Sequence, residues 1–227
     1  MKTVMRIVIV MAVMLLLASA VKAKVMEFED VKDGSIVISF TVDLNGDGKM
    51  EKVGLRAYNK TEEEYLGQIV VSDSRGTTIW ESPKMKDRNS TDPFLFGAFT
   101  AGCSLPEVVA DIDGDGKIEM LITARISDVS PMPYLEFRWD GKKFVFIQEK
   151  VLMESSKGSG EFAWQKRQSH SGCWILSFKA SKGDGTFLVY IFSRRDGKEM
   201  GGQAEVRPTR SGFKVIRWVH PLKPVIS

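Results

Sequence analysis

Beyond the first two dozen residues, apolar and polar positions alternate with period two in short runs. Over 35–42, Ile36, Ile38, Phe40 and Val42 fall on one face, with Ser35, Val37, Ser39 and Thr41 on the other. That alternation predicts a strand with one face toward a core. Comparable runs lie at 52–58, 68–72, 77–80, 107–110, 120–126, 134–139 and 143–147. The last third adds 174–178, 187–192, 204–207 and 213–219. All are short, rich in β-branched and aromatic residues, and bounded by Gly, Asp or Asn. Asp140-Gly141 and Asp196-Gly197 sit between apolar runs and read as hairpin turns. Only 60–64 has helical appeal, and it is short and acidic. The pattern predicts an all-β chain.

A longer period organises these strands. Gly46-Asp47-Gly48 recurs 68 residues later as Gly114-Asp115-Gly116, and 69 residues further on as Gly183-Asp184-Gly185. Each copy has an apolar strand on either side. The hairpin segment Trp139-Asp140-Gly141-Lys142-Lys143-Phe144 is echoed late in the next unit by Thr209-Arg210-Ser211-Gly212-Phe213. The repeat divides the chain into three units, 24–90, 91–157 and 158–227, each of about four antiparallel strands. A β-sandwich carrying the same loops is the alternative architecture.

The N-terminus breaks the alternation. Lys2 and Arg6 precede an apolar run at 7–17, and small residues follow to Val21-Lys22-Ala23. This reads as a signal peptide over 1–23, cut after Ala23, with Ala18-Ser19-Ala20 as a second candidate cleavage site. Eleven apolar residues fall short of the roughly 20 that span a bilayer. The expectation is therefore a periplasmic or secreted protein with no membrane span after cleavage. The leader holds three of the 32 basic residues and none of the 29 acidic ones, so the body is balanced. A balanced body argues against nucleic acid as the main partner, since phosphate binding needs a concentrated basic field. Cys103 and Cys173 stand eleven and ten residues ahead of their own Gly-Asp-Gly triplets. In an oxidising compartment the pair predicts either a disulfide across neighbouring units or two buried thiols.

The densest chemistry lies in the loops at 43–51 and 111–119. The first reads Asp43, Leu44, Asn45, Gly46, Asp47, Gly48, Lys49, Met50, Glu51, and the second Asp111, Ile112, Asp113, Gly114, Asp115, Gly116, Lys117, Ile118, Glu119. Calcium takes six to eight oxygen ligands, and this spacing supplies them. Asp43, Asn45 and Asp47, or Asp111, Asp113 and Asp115, offer side-chain oxygens at positions 1, 3 and 5. Glycine at position 6 permits the turn. Lys49 or Lys117 offers a carbonyl at position 7, and Glu51 or Glu119 can close the shell at position 9. An EF-hand would need a glutamate at position 12, where Gly54 and Ile122 stand instead. The loops therefore predict two Ca2+ sites in a strand–loop–strand setting. The competing reading is a plain β-turn, which also favours Asp, Asn and Gly. At the third copy Ala180, Lys182, Asp184 and Leu188 fill positions 1, 3, 5 and 9, which keeps the turn and removes the ligands.

On these motifs the chain resembles the FG-GAP or VCBS-type repeats, in which each repeat is a four-stranded β-propeller blade with calcium between two strands. Leu95-Phe96-Gly97-Ala98-Phe99 is similar to the Phe-Gly half of that family's name, and no Gly-Ala-Pro follows. The resemblance covers units one and two by motif and unit three by position. It implies a partial or atypical propeller, because three units are fewer than a closed ring needs, or closure through a second subunit. His170 and His220 lie in no metal-ligand spacing, and no G-x-S-x-G elbow occurs. The five tryptophans read as core and strand-face residues before they read as a glycan platform. The resulting expectation is a non-catalytic, calcium-binding module that engages a protein or glycan at the cell envelope. The alternatives are a periplasmic inhibitor of a cell-wall hydrolase and, behind it, a hydrolase.

Overall fold

The structure is a computed structural model that describes residues 25–100, 102–124, 133–166, 171–181 and 185–225. The leader at 1–23 lies outside the described residues. The fold is all-β, and among the described residues the one helical piece is a short 3-10 turn at Phe28–Asp30. Among the described residues no helix is long and apolar enough to cross a membrane.

Each predicted unit contributes a run of four consecutive antiparallel strands. The first is β1 (Ile36–Val42), β2 (Glu51–Tyr58), β3 (Tyr65–Ser72) and β4 (Thr78–Glu81). Two short strands follow, β5 (Phe96–Phe99) on the N-terminal half of β3 and β6 (Gly102–Ser104) on β5. The second run is β7 (Pro106–Ala110), β8 (Glu119–Thr123), β9 (Tyr134–Trp139) and β10 (Phe144–Glu154). After β11 (Glu161–Gln165) comes the third run, β12 (Gly172–Ser181), β13 (Phe187–Arg195), β14 (Lys198–Thr209) and β15 (Gly212–Pro224).

The runs do not stand as three separate units. β1 to β6 form one six-stranded sheet and β7 to β15 one nine-stranded sheet. The cause is β10, which is eleven residues long and serves two sets of neighbours. Its first seven residues pair with β9, and its last four pair with β11, with Met153 also meeting Trp174 of β12. Because β11 also pairs with β15, the strands β10, β11, β15, β14, β13 and β12 form a curled ring.

Two cores result. The first lies between the sheets, with Val37, Leu55, Ile69 and Phe96 against Met120, Ile122, Phe137 and Phe144. The second fills the ring, with Leu152, Phe162, Ile175, Phe187, Val206 and Phe213. β8 lies between them: Met120 and Ile122 enter the first core and Leu121 the second. Burial on both faces explains why β8 reads as a continuous apolar run instead of an alternation.

The glycine of Phe96-Gly97 has a local structural reason. Gly97 has φ +140°, and a Cβ there would collide with the Tyr65 carbonyl where β5 meets β3. The cysteine expectation is corrected. Cys103 belongs to β6 in the first sheet, whereas Cys173 lies in β12 within the second core, so the two sit in different sheets. Both are free thiols, Cys103 exposed and Cys173 buried. Burial, and then the neighbouring Glu154 charge, pushes the Cys173 thiol up to about 12, which leaves little thiolate to react.

Candidate metal centre

The two aspartate loops join equivalent strand pairs, β1 to β2 and β7 to β8. Their frames are alike. In the first, the Gly48 N–H donates to Asp43 Oδ2 at 2.8 Å and the Lys49 N–H to Asp47 Oδ1 at 2.9 Å. In the second, the Gly116 N–H donates to Asp111 Oδ2 at 3.0 Å and the Lys117 N–H to Asp115 Oδ1 at 2.9 Å. The glycines Gly46, Gly48, Gly114 and Gly116 all have positive φ, which curls the chain around its own carboxylates.

Position 9 supports the frame from below. Glu51 and Glu119 are both buried, and their Oε2 atoms accept the position-2 N–H groups of Leu44 and Ile112, at 2.9 and 3.0 Å. Burial, and then the adjacent Asp113 charge, outweighs these bonds at Glu119 and pushes its carboxyl up to about 7. Asp115 behaves in the opposite way. Hydrogen bonding from the Lys117 N–H holds its carboxyl below the usual range, as the Lys49 N–H does for Asp47.

The loops differ in how their ligands gather. In the second, ligand atoms of Asp111, Asp113 and Asp115 all lie within 4.8 Å of one another. An all-oxygen set of this kind suits a hard cation. The first loop has Asn45 where the second has Asp113, so its counterpart set holds two carboxylates and an amide. There, Asn45 Oδ1 accepts the Trp139 indole N–H at 2.9 Å, which ties position 3 to β9. Asp43 and Asp47 keep their places in the frame, and Lys49 Nζ pairs with Asp47 at 3.1 Å. The third copy, at Lys182, Gly183 and Asp184, lies outside the described residues.

One residue that the sequence reading did not single out dominates the second loop. Arg138 of β9 stands opposite Glu119 in the strand register. Its Nε donates to Glu119 Oε1 at 2.8 Å and its Nη2 to Asp113 Oδ2 at 3.1 Å, while Nη1 lies 3.7 Å from Asp115 Oδ2. The guanidinium thus neutralises carboxylates that would otherwise repel one another. Among the described residues the first loop has no counterpart to Arg138. One step past the paired Lys52 and Ser72, the residue across from Glu51 is Asp73, itself held by Arg75 and the Thr77 N–H. No short motif announces Arg138; only the pairing of β8 with β9 brings it to the loop.

A second perturbed carboxyl lies elsewhere. Burial pushes Glu107 of β7 up to about 7, against the opposing pull of its hydrogen bond from the Phe178 N–H. At 2.7 Å that bond fastens β7 to β12, a structural use of the group. His220 is exposed on β15, and His170 lies outside the described residues. No protein-family model, no curated protein and no solved structure matches the chain.

Proposed function

We propose that the protein is an exported calcium-binding module without catalytic function, of the kind its resemblance to FG-GAP or VCBS-type repeats implies. The observation that carries this reading is the convergence of Asp111, Asp113 and Asp115 on a point that a hard cation can occupy. The Lys117 carbonyl completes a ligand set typical of calcium loops. The first loop, with a matching frame, is the second site, and it needs Asn45 to turn from Trp139 toward the ion. Calcium at the second loop competes with Arg138 for Asp113 and Asp115, so this site is the weaker for having an internal cation. The ion's role is structural: it orders the loops at one end of β2 and β8, the first next to the first core and the second where Ile118 meets the first core and Ile112 the second. In the envelope such a module would engage a protein or a glycan.

The test is thermal. Calcium bound only by the native state adds stability by mass action, about 2.7 kcal/mol when free calcium stands at 100 times its Kd. EDTA should lower Tm and excess calcium restore it, with Asp111→Ala blunting the recovery. A melt indifferent to both would refute the calcium reading.

A further inference from the structure

Of the large apolar side chains left exposed among the described residues, most gather on two strands. Val145, Phe146 and Ile147 of β10 are 37%, 36% and 45% exposed, and Ile216, Trp218 and Val219 of β15 stand out similarly. Both stretches are sheet edges. β10 pairs only with β9 from Phe144 to Lys150, and β15 pairs only with β14 beyond Val215, whose N–H still bonds the Gly160 carbonyl. An open edge of this kind is a template for another strand.

The two edges are not equally open. β15 carries Pro221 and Pro224, which lack N–H donors, and its charged residues Lys214, Arg217 and Lys223 are all cations. Pairing β15 with itself would set cation near cation. β10 has no proline, and its exposed stretch runs from Lys142 and Lys143 at one end to Glu149 at the other. Lys150 is half-buried beyond the bulge and lines a cleft with the carboxylates of Glu119 and Glu136, a cleft that Ile147 and Gln148 of the edge also border.

The main chain of β10 faces outward where it matters. At the hairpin's closing pair the Asp140 N–H donates to the Lys143 carbonyl at 3.0 Å. Alternation from that pair directs the Val145 groups to β9 and the Phe144 and Phe146 groups to the open side. The Trp139 N–H, opposite Phe144, agrees by bonding Ile118 on the far side at 2.9 Å. Grooves flank the edge on both faces. One of about 650 Å3 lies beside Phe144 and Phe146 with Trp80 and Phe94; the other, about 540 Å3, lies beside Val145 and Ile147 with Leu44 and Trp139.

We propose that this edge is a homodimer interface, in which β10 of a second copy adds antiparallel across a two-fold axis at Val145. In that register Phe144 of each copy faces Phe146 of the other, and their outward N–H and C=O groups make a short reciprocal ladder. Lys142 and Lys143 of one copy then lie beside Gln148 and Glu149 of the other, so opposite charges meet at both ends. A bulge falls between Phe146 and Gln148, where the β9 register shifts. It ends the ladder, and the isologous contact closes at two copies instead of growing.

Sedimentation of the purified protein in EDTA tests this independently of calcium. A concentration-dependent dimer is expected. Val145→Lys sets two ammonium groups on the axis and should yield monomer, and because Val145 is exposed its melt should match the parent's at concentrations low enough to leave both monomeric. Lys143→Glu or Glu149→Lys alone should weaken dimerisation about five- to tenfold, and the double reversal should restore it. A monomer at every concentration, or a dimer indifferent to Val145→Lys, would overturn the interface. A dimer that Val145→Lys breaks but the double reversal does not rescue would refute the antiparallel register.

Discussion

Glu107→Gln isolates one buried charge. In the native protein the Glu107 carboxyl sits at about 7 against an ordinary 4.5, with burial the largest cause. A raised carboxyl pKa means that the neutral form is the comfortable one. Its contribution is therefore fully present below pH 4.5 and is lost as pH rises through 7. At 1.36 kcal/mol per pKa unit, the gap is worth up to about 3 kcal/mol. Glutamine keeps an oxygen to accept the Phe178 N–H, which holds β7 to β12 at 2.7 Å, and carries no charge to desolvate. Urea unfolding in EDTA at pH 5, 6, 7 and 8, on both proteins, reads the difference. The variant and the parent should be alike near pH 4.5, and the variant should be the more stable by up to about 3 kcal/mol at pH 8. Glu119 titrates in the same range but contributes equally to both proteins. Parallel stability curves would refute the assignment of a buried, charge-sensitive latch to Glu107.

Two further outcomes follow from the loops and strands. Arg138→Met removes the guanidinium from Asp113 and Glu119, so Tm in EDTA should fall while calcium affinity at the second loop rises about tenfold, or ~1.4 kcal/mol; calorimetric titration and a melt would report the two opposite changes. Gly97→Ala forces a Cβ against the Tyr65 carbonyl at a left-handed φ and should cost ~3 kcal/mol or more in denaturant unfolding.

Most strands are legible because alternation and turn residues coincide, as between β9 and β10; at Ile36–Val42 the strand forms, but a bulge between Ile36 and Ile38 turns Val37 into the core and leaves Ile36 exposed. β5 and β6 are not legible, being four and three residues long with a glycine in each. β11, five residues after a glycine-rich turn, is a strand because it closes β10 onto β15. The pattern marks only 204–207 of β14, because Gly201-Gly202 interrupts it. There the glycines admit the Tyr190 ring and the His220 carbonyl, a packing need invisible locally. The polar Gln148-Glu149-Lys150 likewise hid the length of β10, whose second half is set by its partners. At the site, the ligand spacing lies within nine residues and so was readable. Arg138 and Trp139 reach the loops through strand pairing and packing, which no local pattern encodes.

Calcium titration calorimetry of the metal-stripped protein decides whether the aspartate loops are metal sites. Saturable binding is expected, with a second-loop component that disappears in Asp113→Ala and strengthens in Arg138→Met. Heats that never saturate, or that are unchanged in both variants, would contradict it.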